Sequence, residues 1–384
     1  IITMASSQRV YTLGNSVLAN YFAYEIAQVK SQQLIPNIVL LLDNQKKLNR
    51  FLDNNSRLTR KIRGSMAPPE GSTQFMATCS PPTLASGEPA VMENLIVAAD
   101  GKKHFSNLMK KYSSSLDASS NVLLLNPPMG SMDYLFKKIW TDKVVDRPDM
   151  LLGLATEQGD SLQTYRGRKY TTSDEFEVTN DMKGGRMNLI LSAVPQTQHM
   201  FNQVEEQKAF EKLQRNPIIN LINDTKNITT QLFTFSELST LRFEGLIVNS
   251  CIESLALLFD CKYTAELLNI PRAKHILKAM IREQVKILAS SFPNLKTIPN
   301  YSIAFDVERL YSVVCQRSKS MHRRSSLHSQ MMIFNESDIN QLTGYFVRLA
   351  YDCKVDCRWN ESITWLVKGK IQVKKNRALN YRYL

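Results

Sequence analysis

The sequence predicts an α/β domain built on a doubly wound parallel sheet, followed by a mainly α-helical domain. Short, continuously apolar runs alternate with helical stretches in the first part of the chain, as in sheets that are covered by helices on both faces. From about Phe233 onward the helical period dominates instead. The length of 384 residues is sufficient for two domains, each with its own core.

The first domain contains five predicted strands, each a short apolar run. They are Val10–Leu13, Ile38–Leu42, Asn94–Ala98, Val122–Leu125 and Met150–Leu154. Helices are predicted between them at 17–29, 105–112 and 132–139. Residues 64–90 are rich in Pro, Gly, Ser and Thr and are predicted to form a surface loop. Two further strand-like pieces occur near 176–178 and 187–194, within a polar stretch.

The second domain is predicted to be helical. Its apolar residues recur at helical spacing in the segments Leu238–Phe259, Pro271–Ser290, Ile303–Val314, Ser337–Tyr351 and Glu361–Lys370. The predicted domain ranges are therefore 1–215 for the α/β domain and 216–384 for the helical domain with a basic tail.

The segment from Arg9 to Ala19 has the frame of a dinucleotide-binding turn, in which a strand leads through a glycine-rich loop into a helix. Gly14 keeps the first glycine position, whereas Ser16 occupies the second and Ala19 the third. Because the second glycine lets the backbone approach a pyrophosphate, Ser16 predicts an altered cofactor site. Vestigial cofactor contacts are predicted at Gly14, Asn15, Ser16 and Asp43.

Asn15 and Ser16 are predicted to donate to a phosphate at the helix N-terminus. Asp43 closes the second predicted strand, where a carboxylate meets a ribose hydroxyl in dinucleotide-binding domains. A plain turn residue at the end of the strand is the alternative interpretation of Asp43.

The net charge of +13 indicates partners with many negative charges, such as nucleic acid, a ribosome or an anionic membrane surface. A generally basic protein without such a partner is the alternative. The composition is typical of a soluble globular protein, and no run of about 18 apolar residues predicts a transmembrane helix. The six cysteines are scattered and lack zinc-site spacing, so free thiols and no metal site are predicted.

Four segments resemble the ketopantoate reductases. They are Leu246–Cys251, with a Val-Asn pair in a long helix, Ser325–Leu327, Asp338–Tyr345 and Asn121–Gly130. The resemblance implies a Rossmann-like domain followed by an all-α domain, in the arrangement of the 6-phosphogluconate dehydrogenase type. It also implies which residues would take part in a hydride transfer from NADPH to a keto acid.

Most positions that the resemblance assigns to reduction carry another residue here. The family's lysine, four residues before the helix asparagine, is Gly245, which offers neither charge nor proton. The two supporting asparagines are replaced by Glu253 and Pro127. The matching or similar residues that remain are Asn249, Ser326 and Asp338. Because these losses occur together, no catalytic residues are predicted.

Three further segments resemble mitochondrial translational activators of yeast that serve the cytochrome b messenger RNA and share this fold. They are Val39–Phe51, Pro299–Ser302 and Ala378–Leu384. This resemblance implies a location on the matrix side of the mitochondrial inner membrane. It also implies four partners: the cytochrome b mRNA leader, the mitochondrial ribosome, other translational activator proteins and, peripherally, the inner-membrane surface.

The positive charge is concentrated in three places: the tail from Lys354 onward, the segment 317–324 and the run 46–63. Cations give salt-sensitive attraction to phosphate, although a solvated face is the ordinary alternative for any one cluster. The RNA-binding candidates are Arg317, Lys319, Arg323, Arg324, Lys368, Lys370, Lys374, Lys375 and Arg377. Trp359 and Trp365 lie among the tail cations but are interpreted as core residues.

The sequence thus predicts a pseudoenzyme that activates translation by tethering RNA and the mitochondrial ribosome, without a cofactor. Residual NADP binding stays open. The main alternative is an active NADP-dependent 2-dehydropantoate (ketopantoate) reductase, and a further alternative is an assembly scaffold without RNA contact.

Overall fold

The fold is taken from a computed structural model. It describes residues 9–14, 16–29, 38–62, 70–99, 101–141, 147–157, 176–180, 186–195, 202–319, 327 and 339–380. The chain divides into two compact units. The first comprises residues 1–199 and 203–238, and the second comprises residues 200–202 and 239–384.

An eight-stranded sheet organises the first unit, in the order β11-β10-β8-β7-β6-β1-β2-β5. All neighbouring strands in it are parallel except β8 and β10. The strands are β1 Val10–Leu13, β2 Ile38–Leu41, β3 Thr59–Ile62, β4 Glu70–Gly71, β5 Met76–Thr78, β6 Asn94–Val97, β7 Asn121–Leu125, β8 Asp149–Glu157, β9 Glu177–Asn180, β10 Met187–Ala193 and β11 Ile228–Leu232. A small second sheet has the order β4-β3-β9.

Six helices of the first unit accompany these strands. They are α1 Val17–Ala27, α2 Gln45–Asp53, α3 Lys102–Tyr112, α4 Ser131–Tyr134, α5 Gln203–Leu213 and α6 Pro217–Asn223. Residues Leu18 to Ala27 of α1 are all buried, so this helix lies inside the unit rather than on its surface. Phe51 of α2 packs on Phe176, next to strand β9, with ring centroids 5.0 Å apart.

The five predicted strands are confirmed, and two differences from the sequence prediction have clear causes. Residues Met76–Thr78, within the predicted surface loop, form β5 because their backbone pairs with β2 at the edge of the sheet. The first unit also extends to Leu238 rather than residue 215, because β11 pairs with β10 and so completes the same sheet.

The second unit is helical, as predicted. Its helices are α7 Phe235–Leu258, which starts in the first unit, α8 Ala273–Ser291, α9 Tyr301–Ala304, α10 Val307–Ser318, α11 Thr343–Cys353 and α12 Arg358–Asn380. Across the ranges described above, no helix combines the length and apolar character needed to cross a bilayer.

A buried polar network joins α7, α8 and α12. The Gln284 side-chain amide donates to Ser250 Oγ at 2.9 Å and to Asn360 Oδ1 at 2.6 Å. All three residues are completely buried. The carboxylate of Glu283 accepts the backbone N–H groups of Trp359 and Asn360 at 2.9 and 3.0 Å, and so caps the first turn of α12 from a neighbouring helix.

Candidate functional site

Strand β1 leads into helix α1 through a turn that begins at Gly14. Gly14 has φ +119°, and a Cβ there would lie 2.2 Å from the Ala98 carbonyl oxygen. A side chain is therefore excluded by close packing of the turn on the end of β6, whether or not a cofactor binds. Asn15 lies outside the described residues.

Ser16 caps helix α1 with its own side chain. Its Oγ accepts the Ala19 backbone N–H at 3.1 Å, and the residue is only 6% exposed. In a dinucleotide-binding domain the N–H groups of this first turn face the pyrophosphate. One of these donors is thus satisfied within the chain, and a phosphate would have to displace the Ser16 hydroxyl to reach it.

Asp43 also has partners within the chain. Its carboxylate lies 2.5 Å from Lys47 Nζ and 3.1 Å from His104 Nε2. Burial on its own raises the pKa of Asp43, but hydrogen bonds and positive charge from His104 and Lys47 outweigh burial, so the pKa is lower than usual. The predicted ribose partner is therefore part of a half-buried ion-pair cluster.

The segment after β7 places a proline where the reductases carry an asparagine. Pro127 is buried, and it directly follows Asn126, which has φ +44°. The Asn126 side chain does not substitute for the missing residue. Its Oδ1 accepts from Ala155 N at 2.9 Å and its Nδ2 donates to Ala155 O at 3.3 Å, so the amide bridges to β8.

Helix α7 carries three of the candidate positions at one-turn intervals. At Gly245, no described atom lies within 4 Å of where a Cβ would be, so packing does not require glycine. Asn249 is half-buried, and its Oδ1 has no hydrogen-bond partner among the residues that the structure describes. Glu253 is 2% exposed and accepts the Leu327 backbone N–H at 3.3 Å, so the replacing carboxylate has a structural contact.

Arg242, three residues before Gly245, is the nearest cation to the missing lysine along the sequence. Burial lowers the pKa of Arg242 to about 10, and it outweighs the electrostatic effect of Tyr345, which acts to raise the pKa. The guanidinium consequently stays protonated at neutral pH and is a poor proton donor to a substrate.

Several of the remaining candidates lie outside the described residues. These are Arg323, Arg324, Ser326 and Asp338. Arg317 is half-buried in the last turn of α10, and Lys319 is exposed at the end of the same helix.

Helix α12 presents most of the remaining cationic candidates. The exposed cations of the last turns are Lys374, Lys375 and Arg377. They follow Ile371, the last buried residue of the helix among those whose side chains are described. No carboxylate of the described residues lies within ion-pair distance of them or of the half-buried Lys368.

Lys370 differs from the other cations of α12. Its Nζ donates to the carbonyls of Leu257 and Leu258 at 2.7 and 3.0 Å and pairs with Asp260 at 2.8 Å. This cation satisfies the last carbonyls of α7, so part of its charge is used inside the unit.

Two tryptophans of α12 are exposed. Trp359 is 47% exposed and Trp365 is 65% exposed. The interpretation of these residues as core was wrong, because the buried face of α12 is formed instead by Asn360, Ile363, Thr364, Val367 and Ile371.

No metal centre is evident in the described part of the chain. Within it, no group of three or more His, Cys, Asp or Glu side chains is arranged to hold a metal ion. All six cysteines are free thiols. Burial raises the pKa of Cys251 to about 12, so this thiol is neutral at physiological pH.

Comparisons with known proteins give both the fold and the family. Residues 237–371 match the family model "Ketopantoate reductase PanE/ApbA C terminal". The chain is 35% identical to the cytochrome b translational activator CBS2 of Saccharomyces cerevisiae, over 99% of this chain and 100% of that protein. The chain belongs to the CBS2 family.

This CBS2-family chain is also similar, at lower identity, to two proteins named as probable reductases. A "probable 2-dehydropantoate 2-reductase" of Schizosaccharomyces pombe is 24% identical, over 96% of this chain and 98% of that protein. The crystal structure of the "probable 2-dehydropantoate 2-reductase panE" of Bacillus subtilis superposes with a TM-score of 0.61 at 16% identity, covering 94% and 99% of the two chains. These likenesses establish a ketopantoate reductase-like fold for this member of the CBS2 family.

Sequence reasoning missed three residues that shape the candidate sites of this CBS2-family chain. His104 pairs with Asp43 although 61 positions separate them, and no local motif signals that contact. Asn126 was visible in the strand-and-turn segment, but its role depends on the pairing of β7 with β8. Glu283, which caps α12, lies in a different helix from the one that it caps.

Proposed function

We propose that this protein is a mitochondrial, mRNA-specific translational activator that acts on the cytochrome b mRNA leader and has no reductase activity. The observation that carries the proposal is the similarity to CBS2 over the whole length of both chains. Its partners would be the mRNA leader, the mitochondrial ribosome and other activator proteins, at the matrix side of the inner membrane.

Several positions that the reductase resemblance assigns to cofactor or substrate make contacts within this chain instead, which supports a role other than catalysis. Ser16 caps α1, Asp43 pairs with Lys47 and His104, and Glu253 accepts a backbone N–H. Gly245 and Pro127 offer no side-chain donor. A hydride-transfer enzyme needs a bound nicotinamide and a group that stabilises the developing alkoxide, and these positions supply neither. NADP is accordingly not expected to bind.

RNA tethering is proposed to use the exposed cations at the end of α12. Lys374, Lys375 and Arg377 have no described acidic partner and extend beyond the buried part of the helix. Side chains of this kind can approach phosphates without first breaking an ion pair. Further exposed positive charge in the first unit comes from Lys46 in helix α2, Lys61 in strand β3 and Arg57 between these two elements.

The decisive experiment is charge reversal at the end of α12. We expect Lys374→Glu/Lys375→Glu to weaken binding to a cytochrome b leader RNA about tenfold at moderate salt, because two phosphate contacts become repulsive. The slope of log affinity against log salt concentration should fall by about one to two. The matched control is Lys137→Glu/Lys138→Glu, an exposed lysine pair in the turn that follows α4, with the same change in net charge.

The measurement is fluorescence anisotropy with labelled leader RNA over a salt series. Equal weakening by both double variants would indicate a general charge effect and contradict this assignment of the surface. An unchanged affinity in the α12 variant would contradict it as well.

A further inference from the structure

The outer face of α12 carries exposed apolar residues at seven-residue intervals. Trp359 is 47% exposed, Leu366 is 59% exposed and Val373 is 48% exposed. Side chains seven positions apart lie on the same side of a helix, two turns from one another. These three residues therefore form one apolar stripe along the helix, on the side away from the core.

Small and uncharged residues accompany the stripe. Ser362, Gly369 and Asn376 follow the apolar residues by three positions each and are all exposed. Large residues at one position of this seven-residue repeat, and small residues three positions later, create a row of projecting side chains beside a shallow groove. We name this surface, formed by residues 359, 362, 366, 369, 373 and 376, the α12 seam. It has the spacing of the seam between two packed helices.

Gly369 is the informative member of the α12 seam. Glycine lowers the stability of a helix interior relative to other residues, so it requires a reason. Packing within this chain does not provide one, because no described atom lies within 4 Å of where its Cβ would be. A missing side chain on an exposed helix face lets the backbone of another helix approach closely.

The charge of α12 selects the class of partner. At about 100° per residue, Arg358 and Arg377 lie beside the seam, whereas Lys368, Lys374 and Lys375 lie on the sides of the same helix. Its single acid, Glu361, accepts a hydrogen bond from the Tyr351 hydroxyl. Two copies of α12 would bring like charges together, which disfavours self-association through this face. A helix with acidic flanks would instead be complementary to it.

We infer that the α12 seam binds an amphipathic α-helix with acidic flanking residues, supplied by a different protein. The inference rests on the proposed function for its setting, since it specifies the kind of protein partner that a translational activator of this family would recruit. Trp359 can stack on a base, but Leu366 and Val373 cannot, so the seam lacks the successive aromatic residues that bind single-stranded RNA. The small and polar residues within it are unlike the continuous bulky apolar face of a membrane-surface helix.

The test uses a defined probe, a synthetic helical peptide of about three heptads. It carries leucine at the two core positions of each heptad and glutamate at the flanking positions. A second peptide has lysine at the flanking positions. We expect the full chain to bind the acidic peptide saturably, measured by anisotropy of a labelled peptide, and to bind the basic peptide at least tenfold more weakly.

Two variants separate docking from folding. Leu366→Glu should weaken binding of the acidic peptide at least tenfold. Gly369→Gln should do the same while its melting temperature stays equal or rises, because glutamine favours a helix more than glycine. Ile303→Glu is the matched control: Ile303 is 62% exposed in the second unit, outside α12, and its variant should bind like the wild type.

Other outcomes would overturn the inference. Unchanged peptide binding in Gly369→Gln, or no binding by the wild type, would remove the seam as a helix-docking site. Binding to phosphatidylserine vesicles that is lost in Leu366→Glu, without acidic-peptide binding, would assign the face to a membrane surface. Loss of RNA binding in Lys374→Glu/Lys375→Glu is a separate result, so the proposed function and the seam can fail independently.

Discussion

At the scale of single residues, Ser16 and Asp43, two of the predicted cofactor contacts, have polar partners within the chain itself. The Ser16 hydroxyl accepts a helix N–H, and the Asp43 carboxylate contacts the side chains of Lys47 and His104. Because buried or half-buried polar groups cost stability unless they are paired, these contacts stabilise a folded state without a cofactor. The same contacts compete with any phosphate or ribose that enters the site.

Asp43 gives a residue-scale prediction about pH. Its pKa is lowered in the folded state, so its contribution to stability is present above the unfolded-state pKa and is lost as pH falls through the folded-state pKa. We expect Asp43→Asn to lower the free energy of unfolding at pH 7 by about 1 kcal/mol. The difference from the wild type should vanish when both forms are compared in acid.

Urea denaturation at several pH values measures this difference. Asp53→Asn, in the last turn of helix α2, which follows Asp43, is the control because Asp53 is exposed and has no ion pair with the described residues. A pH-independent loss in Asp43→Asn would show that the residue acts through packing rather than through charge.

At the scale of elements, the position of α12 depends on polar groups at its start. Asn360 accepts from Gln284 and donates to Glu283 Oε2 at 2.8 Å, while Glu283 binds the first N–H groups of the helix. These contacts fix the rotation of α12 about its axis. That rotation decides which residues face outward, and hence where the seam and the cations lie.

Asn360→Leu is therefore the informative substitution in α12. We expect it to lower the free energy of unfolding by about 2 to 3 kcal/mol, because buried donors and acceptors of Gln284 and Glu283 lose a partner. Gln284→Leu combined with Asn360→Leu should cost less than the sum of the two single changes. Chemical denaturation of the four proteins measures this coupling, and strict additivity would contradict a shared network.

At the scale of the whole molecule, local patterns predicted most elements but few contacts. The five predicted strands are apolar runs, and the long helices of the second unit have helical spacing of apolar residues, so these elements were visible in the sequence. Strands β5 and β11 were not visible, because β5 lies in a Pro- and Ser-rich stretch and β11 has three polar residues; they gain their structure from pairing with β2 and β10. Helices α2 and α6 were not predicted either. The exposure of Trp365 was missed because aromatic residues usually indicate a core.

The sequence predicted the candidate sites only as positions at which a residue expected from the reductase resemblance is replaced by another. Gly245, Glu253 and Pro127 can be found by counting from motifs, but what the replacing residues do depends on distant partners. Glu253 accepts an N–H from Leu327, 74 positions later, and no pattern in the sequence encodes that pairing. The sequence thus indicates which expected catalytic side chains are replaced, whereas the contacts that the replacing side chains make can be seen only in the folded structure.

The proposed lack of reductase activity belongs to the scale of the whole molecule, since the replaced positions lie in both units. Restoring one residue should therefore not restore activity. Gly245→Lys introduces the lysine that the resemblance to the ketopantoate reductases assigns to this position. No described atom lies within 4 Å of where its Cβ would be. We expect this variant to fold with equal or greater stability, by up to about 0.7 kcal/mol, because lysine favours a helix more than glycine.

Neither this variant nor the wild type should reduce 2-dehydropantoate with NADPH, because Ser16 still caps α1 and Pro127 still lacks an amide. The measurements are NADPH fluorescence titration and a turnover assay, with a bacterial ketopantoate reductase as the positive control. Saturable NADPH binding with turnover by the wild type would overturn the proposal of a pseudoenzyme. Turnover by Gly245→Lys alone would show that the missing lysine, and not the altered turn, is what silences the chemistry.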